Sequence, residues 1–430
     1  LSRSRPLLLG VVSLLFASTT CLFAQPYDLV LKNGHIIDAK NNLDAVMDVA
    51  ILDGKIAKVA PSIAVTDAVR SVNVSGLYVT PGLIDIHTHV YTGTGERDSY
   101  SGDNSVYPDG FTFRVGVTTV VDAGCSGWRN FPDFKERVID RAKTRVLVML
   151  NIVGSGMRGP QYEQNVKDMD GEATGKFALQ YPGLIVGIKS AHFEGGEWTP
   201  YKEAVKAGTI ASIPVMIDYG DNRPERPLYD LLSKVLRPGD IYTHMYSGLR
   251  GEQDPITKQA SLAMLVGRQR GIYFDVGHGG GSFNWRVAVP LVQSGFLPDS
   301  ISTDLHIGSM NAGMKDMLNV ADKMLALGMP LPQVINEMTA APAHEIKQDE
   351  LGNLSVGAPA DIAVLSLRQG NFGFVDMDNT VYPGTQKFEC ELTLRNGKVV
   401  YDLNGLTADP WNAVTTTAVQ AKHFTHMHVQ

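Results

Sequence analysis

Cysteine is scarce. The 430 residues hold three thiols, Cys21, Cys125 and Cys390. Too few and too widely spaced to build a disulfide scaffold, they leave open only a single pairing of Cys125 with Cys390. Basic runs are also missing, and the formal net charge is -7. No stripe of lysine and arginine offers itself to a phosphate backbone, so a nucleic-acid partner is not expected. Charged residues make up only 19% of the chain, and 44% is hydrophobic, which excludes a disordered polyelectrolyte. Long apolar runs are few. The stretch 7–16 is nearly all apolar but shorter than the ~20 residues a membrane span needs. Arg3 and Arg5 precede it, and Leu22-Phe23-Ala24 follows as a small-residue cleavage site before Gln25. This order predicts a signal peptide over 1–24, hence a bacterial secreted or periplasmic protein with no membrane attachment after cleavage.

What is present is a regular alternation. Apolar runs at 83–86, 118–121, 145–150, 184–188, 215–217, 241–243, 272–276 and 300–303 alternate with segments of helical spacing. Those segments include 201–207, 228–236, 256–270, 286–294 and 314–327. Repeated strand-helix units of this kind predict an α/β fold, a (β/α)8 TIM-like barrel over 80–349. The methionines of 314–327 fall on one helical face and read as core. Short strand-and-turn texture occupies 25–79 and returns over 350–410. Asn33-Gly34, Asp53-Gly54 and Asn396-Gly397 look like hairpin turns. Two pieces too small to bury much alone are expected to combine as one small β-sandwich. The tail 411–430, with His423, His426 and His428, is expected to be a solvated end.

In a barrel of this type the reactive groups stand at the C-terminal ends of the strands. Five of the eight apolar runs end in such a group: His87 and His89 after the first, then Lys189, Asp218, His244 and Asp304. Residues two apart on a strand face the same way, so His87 and His89 converge on one point. Imidazole and carboxylate are ligands for zinc and its neighbours. Lys189, buried near metal cations, would lose its proton easily. The free amine can then add carbon dioxide, giving a carbamate with two oxygens able to bridge two ions. His244 is expected on the second ion. Asp304 can bind a metal and also take a proton from its bound water, and it is the expected catalytic residue. One or two divalent ions, zinc first and manganese second, would bring the pKa of water to about 7. Cys125 reads as a small buried residue rather than a nucleophile.

These residues resemble the amidohydrolase superfamily of metal-dependent hydrolases, in its deacetylase and dihydroorotase-like branch. The resemblance is carried by Leu29-Val30-Leu31-Lys32-Asn33-Gly34, by Pro81-Gly82-Leu83-Ile84-Asp85-Ile86-His87-Thr88-His89, and by Gly187-Ile188-Lys189. It continues through Thr243-His244, Asp275-Val276-Gly277-His278-Gly279 and Ser302-Thr303-Asp304-Leu305-His306 to Val356-Gly357-Ala358-Pro359-Ala360-Asp361. It implies a barrel with a split β-sandwich, and metal ligands at His87, His89, a carboxylated Lys189, His244 and Asp304. One position departs. The family usually ends its fifth strand in a histidine ligand, and this chain has Asp218 there. Asp218 either ligates the second ion, favouring a harder metal such as manganese, or hydrogen-bonds near it.

The resemblance further implies a small-molecule substrate: an N-acyl amino acid or an acylated hydroxy acid. Arg158, Arg223, Arg226, Arg250 and Arg286 are candidates to clamp its carboxylate, Arg158 and Arg223 foremost. His278, in a glycine-rich loop, is a candidate to touch substrate. His192 and His306 stand beside ligands. The expected activity is hydrolysis of a small acyl amide or ester bearing a carboxylate. The alternatives are a cyclic amidase similar to dihydroorotase or hydantoinase, and a metal-binding scaffold without turnover. A homo-oligomer is compatible with all three.

Overall fold

The computed structural model describes residues 26–413. The expected signal peptide and the histidines of the tail lie outside these residues. Among the described residues, no helix is long and apolar enough to cross a membrane.

The chain opens with β1 (Tyr27–Asp38), β2 (Leu43–Leu52), β3 (Lys55–Ala60), β4 (Ala68–Asn73) and β5 (Tyr78–Pro81). Seven parallel strands follow: β6 (Leu83–Thr88), β7 (Val117–Gly127), β8 (Arg145–Asn151), β9 (Ile185–Ser190), β10 (Val215–Ile217), β11 (Ile241–Tyr242) and β12 (Tyr273–Phe274). They pair in chain order, each with the next. These strands are buried along most of their length, as the continuous apolar runs required. The expected eighth strand, 300–303, is not a ladder strand. Single parallel bridges tie its neighbourhood to both ends of the series, Asp275 to Ser300 and Thr88 to Leu305.

The segment 256–270 is helical only over Leu262–Gln269. Before it, the Asp254 carboxylate accepts the backbone N–H groups of Ile256 and Thr257 and bends the chain into a turn instead. The methionine-rich helix runs Met317–Ala326, with Met317, Ala321 and Met324 buried.

After the last helix come β13 (Ile362–Val375), β14 (Val381–Arg395) and β15 (Lys398–Asp402). The expected sandwich is hydrogen-bonded as one mixed sheet in the order β15-β14-β13-β5-β1-β2-β3, with β4 also on β1. Its core comprises Leu31, Ile36, Val49, Val79, Ile362, Val364 and Leu392 among others. Asp53-Gly54 and Asn396-Gly397 are hairpin turns with both residues at positive φ. Asn33-Gly34 is not. It sits inside β1 as a register shift between Leu31 and Gly34. Asn33 takes φ 61° there and donates its N–H to Asp48. This bulge lets β4 and β5 share one edge of β1.

The β13–β14 hairpin extends beyond the sheet as an arm against the barrel. Trp285 stacks on Tyr382 and donates its indole N–H to Phe374 O. Asp322, on the methionine-rich helix, accepts the N–H of Phe388.

Candidate metal centre

β6 delivers His87 near its end and His89 just beyond it. Both rings are buried. The Asp304 carboxylate reaches them from the 300–305 segment, with Oδ1 2.9 Å from His89 Nε2 and 3.6 Å from His87 Nε2. That segment is strapped to β6. Asp85 accepts both the backbone N–H and the hydroxyl of Thr303, at 3.1 and 2.5 Å. Asp304 itself adopts φ 51°, an uncommon conformation held by these neighbours. Two imidazoles and one carboxylate thus place ligand atoms within 4.8 Å of one another. This donor set suits zinc or manganese.

The protonation of His87 follows from its partners. Thr243 donates its hydroxyl to Asp275 Oδ2 at 2.6 Å. Its oxygen is therefore free to accept from His87 Nδ1, 3.0 Å away. With the proton on Nδ1, the Nε2 lone pair faces the centre. Asp275 also accepts from Ser300 and Ser302, so the carboxylate behind this relay is saturated. Lys189, at the end of β9 and fully buried, donates to His87 Nε2 at 2.9 Å. Burial drives its ammonium below the usual range, and burial together with Lys189 lowers His87 to about 3. Burial alone would raise the Asp304 carboxyl, but His87 and His89 outweigh it and hold it well below the ordinary range.

His244 follows β11 at φ 64°, with Nδ1 2.5 Å from Gly277 O. Its Nε2 is 3.6 Å from Asp218 Oδ2. The glycine-rich loop presses closely on the site. A Cβ at Gly277 would come 2.1 Å from Thr243 Oγ1, and one at Gly279 would come 2.5 Å from Asp304 Oδ2. Both take positive φ, so only glycine suits them. Tyr100 leans over the opposite side, its ring 4.4 Å from His89 and 5.2 Å from His306. Ser99, Ser101 and Ser105 fix its loop by bonds to Met157, Cys125 and Tyr100 backbone oxygens.

Similarities to known proteins bear on this geometry. A deacetylase of Brucella anthropi is 34% identical over 357 residues, covering 80% of this chain and 86% of that protein. A deacetylase of Agrobacterium fabrum is 33% identical over 78% of this chain and 82% of its own length. Residues 282–400 match the amidohydrolase family model. The chain belongs to the amidohydrolase family. A crystal structure of an adenine deaminase superposes with TM-score 0.80 at 28% identity, covering 88% of this chain and 100% of the other. A dihydroorotase does so with TM-score 0.75 at 29% identity, covering 87% of this chain and 99% of the other. These neighbours carry the TIM-like barrel architecture over to this amidohydrolase.

Within the amidohydrolase, several expected residues stand away from the His87–His89–Asp304 group. Asp218 follows β10 and is engaged by Arg250 and His192, at 2.9 and 3.2 Å. His192 is held in turn by Glu163 at 2.6 Å. His278 was a candidate to touch substrate. It is fully buried and stacked on Phe283 at 4.6 Å. Its Nδ1 faces Gly279 O, and its Nε2 accepts from Lys323 at 2.5 Å, so neither nitrogen is free. The expected clamps Arg158 and Arg223 are likewise taken up, by Glu96 and Asp221. Arg226 is a buried cation wedged against Tyr201 and Tyr219, bonded to the Phe193 and Gly195 carbonyls. Cys125 and Cys390 are both free and buried, so they do not pair. Tyr100 was not singled out by the sequence, and Thr243 and Asp275 entered only as parts of longer motifs with no role assigned. Loop residues and strand-end hydroxyls carry no periodic signal.

Proposed function

We propose that this amidohydrolase is a metal-dependent hydrolase of a small acylated substrate bearing a carboxylate, cleaving an amide or ester bond as a deacetylase or aminoacylase does. The observation that carries the reading is the convergence of His87 Nε2, His89 Nε2 and Asp304 Oδ1 beside the buried amine of Lys189. The relatives named deacetylase support the bond type. A divalent ion held by these residues supplies the positive charge that polarises a carbonyl and acidifies water to about neutral pH.

The chain's own groups do the rest. The Thr243–Asp275 relay keeps His87 in the tautomer with its lone pair forward. Lys189, favoured as a neutral amine by burial, is read as carrying a carbamate. Asp304 takes the proton of the attacking water and returns it to the leaving nitrogen or oxygen. Tyr100 covers one side of the centre and limits the size of what enters. The mature protein is read as secreted or periplasmic, released after cleavage near Ala24.

Ring opening of a cyclic amide is the second reading. It is favoured by the dihydroorotase of Streptococcus pneumoniae, 40% identical over 86 residues, and by the dihydroorotase fold match. A panel of N-acyl amino acids, acylated hydroxy acids and cyclic amides, tested with zinc-loaded and manganese-loaded protein, separates the two. Hydrolysis confined to cyclic substrates would reject the first reading. An absence of turnover in every arm would leave a metal-binding scaffold.

A further inference from the structure

The residues expected to hold a second ion, Asp218 and His244, do not form a seat for one. Protein sites for zinc-like ions supply at least three donors that converge on one point. The single three-donor group among the described residues is His87, His89 and Asp304. His244 is suitably prepared, because Nδ1 is spent on Gly277 O and Nε2 is left open. Asp218 is not. Its Oδ1 accepts from Arg250 Nη2 at 2.9 Å, and its Oδ2 meets His192 Nε2 at 3.2 Å. A carbamate on Lys189 would add one oxygen to His244 Nε2, which still leaves that position one donor short of three.

Arg250 is fixed in place. It is 7% exposed, and Nη1 donates to Ser247 Oγ at 3.1 Å. Its backbone N–H donates to Glu252 Oε2 at 2.9 Å, and Ser247 donates to Glu252 Oε1 at 2.6 Å. A guanidinium cannot shed its charge in a protein. An ion placed between Asp218 and His244 would face that fixed cation at short range, in a buried setting where screening is weak. It would also have to compete with it for the same carboxylate.

We infer that Arg250 takes the electrostatic place of a second cation, so that this chain holds one divalent ion, at His87, His89 and Asp304. The inference rests on the metal reading given under Proposed function. Asp218 is then a positioning residue that anchors the guanidinium beside the reacting centre. His244 keeps an uncommitted Nε2 facing the same space.

The test is a metal count. Full-length protein is stripped with a chelator, titrated with zinc by calorimetry, and counted by plasma mass spectrometry. The manganese form is examined by electron paramagnetic resonance. One ion per chain and an uncoupled six-line manganese spectrum are expected. Asp218→His combined with Arg250→Met should raise the count to two and give an exchange-coupled spectrum. Arg250→Gln alone should shift it the same way if the double variant does not fold. Two ions in the unaltered chain would overturn the inference and leave the hydrolase reading standing. No ion at saturating zinc would overturn both. A folded double variant that still binds one ion would also overturn it, since Arg250 and Asp218 would not be what excludes the second.

Discussion

The imidazole of His87 depends on a group two bonds removed. Thr243 can accept from Nδ1 only because Asp275 takes its hydroxyl proton. Thr243→Val removes that acceptor and should weaken zinc binding by about 10–100-fold, read by competition with a chromophoric chelator. Asp304→Asn keeps the shape but loses the base. Turnover on the best acyl substrate should fall by about 10²–10⁴-fold, and circular dichroism should remain that of the parent. If that variant retained full turnover, Asp304 would not be the proton carrier. At this scale His87, His89, Lys189 and Asp304 were legible in the sequence because each ends an apolar run, where a barrel displays reactive groups. Arg250 could not be told from Arg158 or Arg223, since all three lie in loops without a period. What separates them is the partner each meets, Asp218 for Arg250, Glu96 for Arg158 and Asp221 for Arg223.

Between elements, the glycine-rich loop and the methionine-rich helix are joined by a pair of buried bases. Lys323 donates to His278 Nε2 and to Gly313 O. Burial brings its ammonium down to about 7 from 10.5. The unfolded chain therefore binds that proton up to the higher value, while the folded chain releases it near the lower. Between them the unfolded state is the more protonated, so the lysine's contribution to stability improves as pH rises from 7 towards 10.5. Lys323→Met should abolish that rise in urea titrations. At pH 9 it should also cost about 1–3 kcal/mol, because two buried acceptors lose their donor. The sequence marked the helix face correctly as core, since Met317 and Met324 follow the helical period. It offered His278 as a substrate contact because the surrounding glycines permit close backbone approach to a ligand. The bond from Lys323 comes from 45 residues away and left no local trace. The same limit explains Asn33-Gly34, where a turn dipeptide serves as a bulge because Asp48 of the neighbouring strand captures its N–H.

Across the whole molecule, buried acids set a pH response of the opposite sign. Glu337 accepts from Gln333 on one oxygen and leaves the other buried without a partner. Burial raises it to about 8 from 4.5. The folded state thus holds the proton longer than the unfolded one, and stability falls as pH climbs through that interval. Glu337→Gln should flatten the decline, seen as a smaller loss of unfolding midpoint between pH 5 and pH 8. The barrel order was readable because parallel strands leave continuous apolar runs separated by helices. The mixed sheet was readable only as two fragments, since nothing local indicates that β5 and β13 are partners. That pairing has a temporal consequence. Ala363 lies opposite Thr80 and also accepts from its hydroxyl, across 283 positions of chain. During synthesis the edge of β5 must wait, unpaired, until nearly everything between has been made. The protein therefore completes its sheet late, by the slow closure of a very long loop, and in that interval depends on whatever keeps a bare strand edge from finding a stranger.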